Sequence, residues 1–376
     1  MALLTMRICL ISNANNQFTR RWLEPLVAHG DDIHLISYKA CSDTYPEVRD
    51  LIDLTRIASK SKFRWLIWSL WVRNYVHKLQ PDVLHAHQVQ GAGWLATLSG
   101  YHPRIVSSWG SDLLLEPDRS YIRRLVVRAV LATCDRLTVP SQFMIEIANN
   151  LGVPDEKIRC IPWGIDTKVF YPRPGERNEI RARLDLASKT KLIFCPRGIS
   201  PVYNIDIVIS AVRNNISRHP NLTLLLLQFN SDPIYLKRIQ RQINEEGMAA
   251  HVIWLPAQDK PDDMARLFRA ADIMVSIPDS EGYGSSVWEA MACGCPTVIT
   301  DLPAFSIEMQ NEVDTIKVPR RNIDLTSAAI DRLLVDQTLR ERMISNGSSK
   351  APGHSHRERH LLTRQLYEGL TGHSRP

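Results

Sequence analysis

The sequence predicts an α/β protein of two doubly wound domains, each a parallel sheet wrapped by helices. Three observations carry that expectation. Short apolar runs alternate with segments of helical length from one end of the chain to the other. Strands that each lead into a helix need crossover connections, and therefore pair in parallel. The alternation pauses at the Pro- and charge-rich stretch 161–178 and restarts at 191, so the pattern occurs twice. The other reading is one large open sheet with a disordered insert. A length of 376 residues fits two domains at about 150 residues each, and both would bury a full core without disulfide or metal staples.

Taken in order, the first domain (1–166) has expected strands at 7–12, 33–37, 82–86, 104–107 and 136–139. Helices are expected at 17–28, 61–79 and 119–132. The string YPRPGERN reads as a linker. The second domain (167–350) has expected strands at 191–195, 222–228, 252–255, 273–276, 297–300 and 315–318. Residues 347–356 (GSSKAPGHSH) read as a loop. A tail, 351–376, is expected to pack a helix at 360–370 back on the body through Leu361, Leu362, Leu366 and Leu370.

Composition narrows the function classes. Hydrophobic residues make up 44% and charged residues 23%, ordinary values for a soluble globular chain. The 46 basic and 40 acidic residues leave +6, too little to name nucleic acid as a partner. Seven scattered cysteines, several in apolar runs, read as small buried hydrophobes in a reducing cytoplasm. The N-terminus is interrupted by Arg7 too early for a secretory signal. The longest run without Asp, Glu, Lys or Arg (83–103) holds three histidines, three glycines and two glutamines, so no membrane span is expected.

Parallel sheets bind ligands beyond the carboxyl ends of their strands, so the segments after each strand matter most. The apolar strand at 273–276 is followed by Glu281, Gly282, Tyr283, Gly284, Ser285, Ser286 and Glu289. The glycines allow backbone to approach a ligand. A helix opening at Ser285 or Ser286 presents free N–H groups to an anion. Ser286-x-x-Glu289 also fits a capping box, in which the glutamate serves only its own helix. Arg197 follows the strand at 191–195 and offers a two-pronged contact to a diphosphate. In the first domain, His85 and His87 end one strand and Asp112 follows another. The two histidines are expected to point to opposite sides and not to form a metal pair, and Asp112 either orients a hydroxyl or caps the next segment.

The string SEGYGSSVWEAMACGCP resembles the E-x7-E signature of retaining glycosyltransferases of family 4, which have the GT-B fold of two Rossmann-like domains facing an interdomain cleft. The resemblance extends over residues 6–345. It implies that Glu281 contacts hydroxyls of the transferred sugar and that Glu289 binds the nucleotide ribose. Gly282, Tyr283, Gly284, Ser285 and Ser286 would lie near the diphosphate and sugar. Arg197 matches the first of a basic pair, while Tyr203 and Asn204 stand where the family has its lysine. Gly164 and Asp166, with Phe170, match a segment near the hinge in which Trp163 replaces asparagine. Trp109 replaces a family histidine on the acceptor side, beside His87 and Asp112, and Ser12–Gln17 replaces the Gly-rich first loop.

The expected activity is metal-independent transfer of a sugar from a nucleotide sugar to a carbohydrate or lipid-linked acceptor, with Glu281, Arg197 and Asp112 as catalytic residues. No cofactor beyond the nucleotide-sugar co-substrate is expected, and no D-x-D metal motif occurs. Two alternatives stay open: an epimerase or phosphorylase on the same plan, and a non-catalytic donor-binding subunit. Between Asp53 and Asp82 no carboxylate occurs, while Arg56, Lys60, Lys62, Arg64, Arg73 and Lys78 flank three tryptophans. This stretch (56–78) reads either as a helix buried against the first sheet or as a contact with an anionic membrane surface, which would place the protein peripherally at the inner face.

Overall fold

The computed structural model describes residues 5–42, 45–57, 63–258 and 260–372, and they divide into two compact units. Unit 1 comprises residues 1–163 and 357–376; unit 2 comprises 164–356. Tyr171–Asn178, read as a linker, lies inside unit 2, where Glu176–Arg183 is a helix.

Unit 1 holds seven strands: β1 (Arg7–Ser12), β2 (Asp32–Ser37), β3 (Asp50–Asp53), β4 (Val83–His87), β5 (Arg104–Ser107), β6 (Arg136–Val139) and β7 (Ile158–Cys160). All pair in parallel, in the order β3-β2-β1-β4-β5-β6-β7. The order reverses beside β1, the switch point at which such sheets hold ligands. Unit 2 repeats the plan with β8 (Lys191–Cys195), β9 (Leu222–Gln228), β10 (Val252–Pro256), β11 (Ile273–Ser276), β12 (Thr297–Thr300) and β13 (Ile316–Val318). Its order is β10-β9-β8-β11-β12-β13, again all parallel. Central strands such as VLHAH and IMVS are buried along their whole length, as helix layers on both faces require.

Local chemistry sets the helix ends. Asn16 caps the helix Gln17–His29 by accepting from the Phe18 amide, and Gly30 closes it at φ 88°. The expected helix at 119–132 is broken at Ser120, whose extended backbone and side chain start a new helix, Tyr121–Thr133. The expected helix at 61–79 is described as Arg64–Leu79; Lys60, Ser61 and Lys62 lie outside the described residues. Its inner face carries Trp68, Ser69, Val72 and Val76, whereas Phe63, Leu66, Ile67 and Leu70 are exposed.

Residues 347–356 are not a loop. The helix Gln337–Lys350 takes up Gly347, where a Cβ would sit 3.1 Å from that of Met291, and a tight turn, Ala351–His354, follows. The last helix, His356–Thr371, belongs to unit 1 and buries Leu366 of the expected leucine stripe, with Leu362 and Leu370 half-buried. Its buried side chains are Arg359, Thr363, Arg364, Leu366 and Tyr367, while Leu361 is exposed. Arg364 grips both oxygens of the buried Asp31, at 2.8 and 2.9 Å. The Tyr367 hydroxyl lies 2.6 Å from His85 Nδ1. No helix among the described residues is long and apolar enough to cross a membrane.

Candidate active site

The arrangement in unit 2 begins with two parallel strands, β8 and β11, whose carboxyl ends release Arg197 and the turn Ile277–Gly284. Asn204, held at φ 52°, donates its amide to Ile277 O and to Asp279 Oδ1, both at 2.9 Å, and so fixes the start of that turn. Arg321 clasps the other side of Asp279. Further along, Gly284 sits at φ 76°, and a Cβ there would come within 2.5 Å of Phe305. Only glycine satisfies both the left-handed backbone and the space left by that ring.

Arg197 joins the two strand ends. Its Nε donates to the buried Ser276 Oγ and its Nη2 to Glu281 Oε2, each at 2.7 Å. The guanidinium also lies 5.3 Å from the centre of the Tyr203 ring. Burial is the largest influence and works against the Arg197 charge, but the Glu281 carboxylate together with the nearby Tyr203 and Cys195 outweighs it and raises the arginine above its ordinary value. The other oxygen of Glu281 accepts from the Gly282 amide at 3.0 Å. A cation, an acid and turn amides therefore converge where the helix Ser285–Ala292 begins.

The capping box does not form. Gly284, not Ser286, occupies the cap position, and no side chain caps the helix. Ser286 Oγ is buried without a protein partner, and Glu289 is buried in the helix's second turn. Sequence reasoning missed what holds the turn from behind. His354 stacks on Trp288 with ring centres 3.6 Å apart, and its Nδ1 lies 3.2 Å from the Tyr283 hydroxyl. Burial lowers the His354 pKa to about 4, so the ring is neutral at pH 7. No signal in the sequence links residues 71 positions apart. Gly164 lies against the backbone of Ser355 and His356, and its neighbour Ile165 donates its amide to His354 O at 2.7 Å.

The first-domain candidates gather in unit 1. Asp112 is buried and accepts from Val89 N (2.9 Å), Ser108 Oγ (2.7 Å) and Trp109 N (3.0 Å), which makes it the brace of two loops. Burial raises its pKa, although these hydrogen bonds oppose the shift. His85 and His87 share one face of β4, contrary to the sequence reading, because side chains two apart on a strand point the same way. Their ring centres are 4.9 Å apart. Burial lowers the His85 pKa to about 3 and the His87 value well below its ordinary one. Trp109 packs on Trp163 at 5.4 Å and on His87 at 5.9 Å, leaving its Nε1 buried without a protein partner. Among the described residues no group of three or more His, Cys, Asp or Glu is placed to hold a metal ion.

Comparison with known proteins defines the class. Residues 176–350 match the family of glycosyl transferases group 1, and residues 7–141 match the glycosyl transferase 4-like family. With two parallel Rossmann-like sheets the chain has the GT-B fold, and its two units match, one each, the 4-like and group 1 glycosyltransferase families. It is 22% identical over 347 residues to an uncharacterized glycosyltransferase of Methanocaldococcus jannaschii, covering 86% of this chain and 85% of that one. It is 29% identical to the D-inositol 3-phosphate glycosyltransferase of Mycobacterium marinum over 67% of this chain, a match that spans 55% of the relative's length. Its fold superposes on HepE of Anabaena, solved in complex with UDP and glucose, with a TM-score of 0.82 at 15% identity. That match covers 98% of this chain and 100% of the other.

Proposed function

We propose that the protein is a retaining, metal-independent glycosyltransferase that moves a sugar from a nucleotide sugar to an acceptor hydroxyl in cell-surface polysaccharide or glycolipid synthesis. The observation that carries the reading is the Arg197–Glu281 pair, 2.7 Å apart beside the Gly282–Gly284 turn and the start of an uncapped helix. A nucleoside diphosphate fits such a place. Arg197 and the amides at the helix start meet phosphate oxygens, Glu281 meets vicinal sugar hydroxyls, and Glu289 meets the ribose. The Anabaena neighbour's UDP supports a uridine nucleotide as the first donor to try.

In the proposed reaction the bond from the sugar's anomeric carbon to the leaving phosphate oxygen breaks. The acceptor oxygen bonds to the same face of that carbon, and its proton passes to the departing diphosphate. Arg197 stabilises the charge that develops on that diphosphate, and no protein nucleophile takes part. Unit 2 holds the donor and unit 1 the acceptor, with His87, Trp109 and Asp112 shaping the acceptor side. Residues 56–78 rest on an anionic membrane surface at the cytoplasmic face.

The test is incubation of the purified protein with a panel of nucleotide sugars and a cell-envelope lipid extract. Nucleotide release that depends on acceptor supports transfer. An isomerised donor without acceptor supports an epimerase instead, and binding with neither outcome supports a donor-binding subunit.

A further inference from the structure

We propose that unit 1 carries a binding groove for an anionic amphiphile, a lipid bearing a phosphate, between the helices Arg64–Leu79 and Tyr121–Thr133. The inference rests on the acceptor-side reading of unit 1 and names the acceptor's chemical class. The groove encloses about 850 Å3, the size of a small-molecule site, beyond the carboxyl ends of β2, β3 and β4.

Its lining divides by chemistry. Trp65, Trp68, Trp94 and Ile122 form apolar walls, and three cations, Lys39, Arg64 and Arg123, line it with no carboxylate among the described lining residues. Arg123 also meets Glu116 outside the lining. Arg64 lies over the Trp68 ring at 5.8 Å. On the floor, the Tyr38 hydroxyl donates to Gln88 Oε1 at 2.6 Å, while the neighbouring Gln90 Nε2 is buried with no protein partner. A donor without an acceptor, set among cations, suits a phosphate oxygen.

The mouth leads onto apolar surface. Trp65 is 39% and Ile122 73% exposed. Leu66 and Leu70 lie exposed on the first helix, Tyr121 and Leu125 on the second. Large apolar side chains are rarely left in water in such numbers on two helices that line one groove. Tryptophan and leucine flanked by arginine are the residues that seat a protein at a lipid interface. The groove thus offers both chemistries, apolar walls that include the buried Trp68, and the exposed cations Lys39, Arg64 and Arg123 along the same lining as the buried Gln90 amide.

The test uses the full chain and dodecyl phosphate below its micellar concentration, followed by tryptophan emission. Dodecyl maltoside and inorganic phosphate are the comparison ligands. Dodecyl phosphate is expected to bind saturably with a blue shift, about tenfold tighter than the uncharged amphiphile, and inorganic phosphate to give no shift. Arg64→Gln should remove the preference for phosphate. Trp65→Ala combined with Ile122→Ser should weaken both amphiphiles about tenfold. Both sites are exposed, so the melting temperature serves as the folding control. Equal affinity for the two amphiphiles, or wild-type affinity in the variants, overturns the proposal; so does displacement of the probe by a lipid-free sugar alone. Binding without any donor turnover removes the transferase reading and leaves the groove. Transfer to a lipid-free acceptor without groove binding does the reverse.

Discussion

Replacing Glu281 with glutamine should lower stability and transfer while tightening the binding of a nucleoside diphosphate. The carboxylate is the charge partner of Arg197, whose side chain is 12% exposed. Removing one member of a nearly buried pair leaves the other charge poorly compensated. Ser276 Oγ and the new amide oxygen still accept hydrogen bonds from it, so the loss is expected to be about 2 kcal/mol. For a unit of this size that lowers the melting temperature by about 4–8 °C. A nucleoside diphosphate then supplies the missing negative charge. At the proposed donor site it would compete with Glu281 for the guanidinium in the wild type and not in the variant. Uridine diphosphate should therefore bind more tightly to Glu281→Gln and raise its melting temperature by more. Transfer meanwhile falls by about a hundredfold or more, because the sugar hydroxyls lose their charged acceptor. Differential scanning fluorimetry with and without uridine diphosphate, beside a nucleotide-release assay, reads all three quantities. A variant with wild-type melting temperature and an unchanged diphosphate shift would refute the reasoning, since the ion pair would then be neither stabilising nor in the donor's way.

Three further outcomes are expected. Gly284→Ala should lower stability by about 3 kcal/mol, read as a urea midpoint, because it combines left-handed strain with a collision against Phe305; an unshifted midpoint would mean the turn relaxes freely. Stability should fall as pH drops from about 6.5 toward 4: the unfolded chain binds protons there that the buried, neutral His85 and His354 refuse, with pKa values lowered to about 3 and about 4. His354→Gln should flatten part of that slope, less than a fully buried histidine would because solvent screens it, and an unchanged slope would contradict the assignment. Arg364→Ala should destabilise unit 1 by about 3–5 kcal/mol, since it leaves the Asp31 carboxylate buried without its bidentate partner, and Asp31→Asn added to it should recover part of the loss in urea unfolding.

Elements were legible in the sequence where burial is symmetric. β1, β5, β6, β8, β9, β11 and β12 begin and end where their apolar runs do, because central parallel strands need no polar face. β3 escaped notice because it is an edge strand of sequence DLID, only partly buried, and β7 because IRC is three residues long. Gly347 misled for a different reason: its lack of a side chain serves close packing on Met291, not a turn. In the candidate site, the residues around Glu281 stand together in one string, so the sequence alone brings them to notice. The Arg197–Glu281 pair spans 84 positions, and His354, Phe305 and Tyr367 act from afar, so no local periodicity announces them.

The return of the final helix makes unit 1 discontinuous in sequence. A fragment ending near residue 163 would lack Arg359, Arg364 and Tyr367, and with them the hydrogen-bonded companions of Trp163, Asp31 and His85. The two pieces are thus natural candidates for fragment complementation: a synthetic peptide of residues 356–372 added in trans to the amino-terminal fragment should restore its cooperative unfolding. For the same reason, a bulky fusion at the carboxyl end is best judged by what it does to the amino-terminal unit.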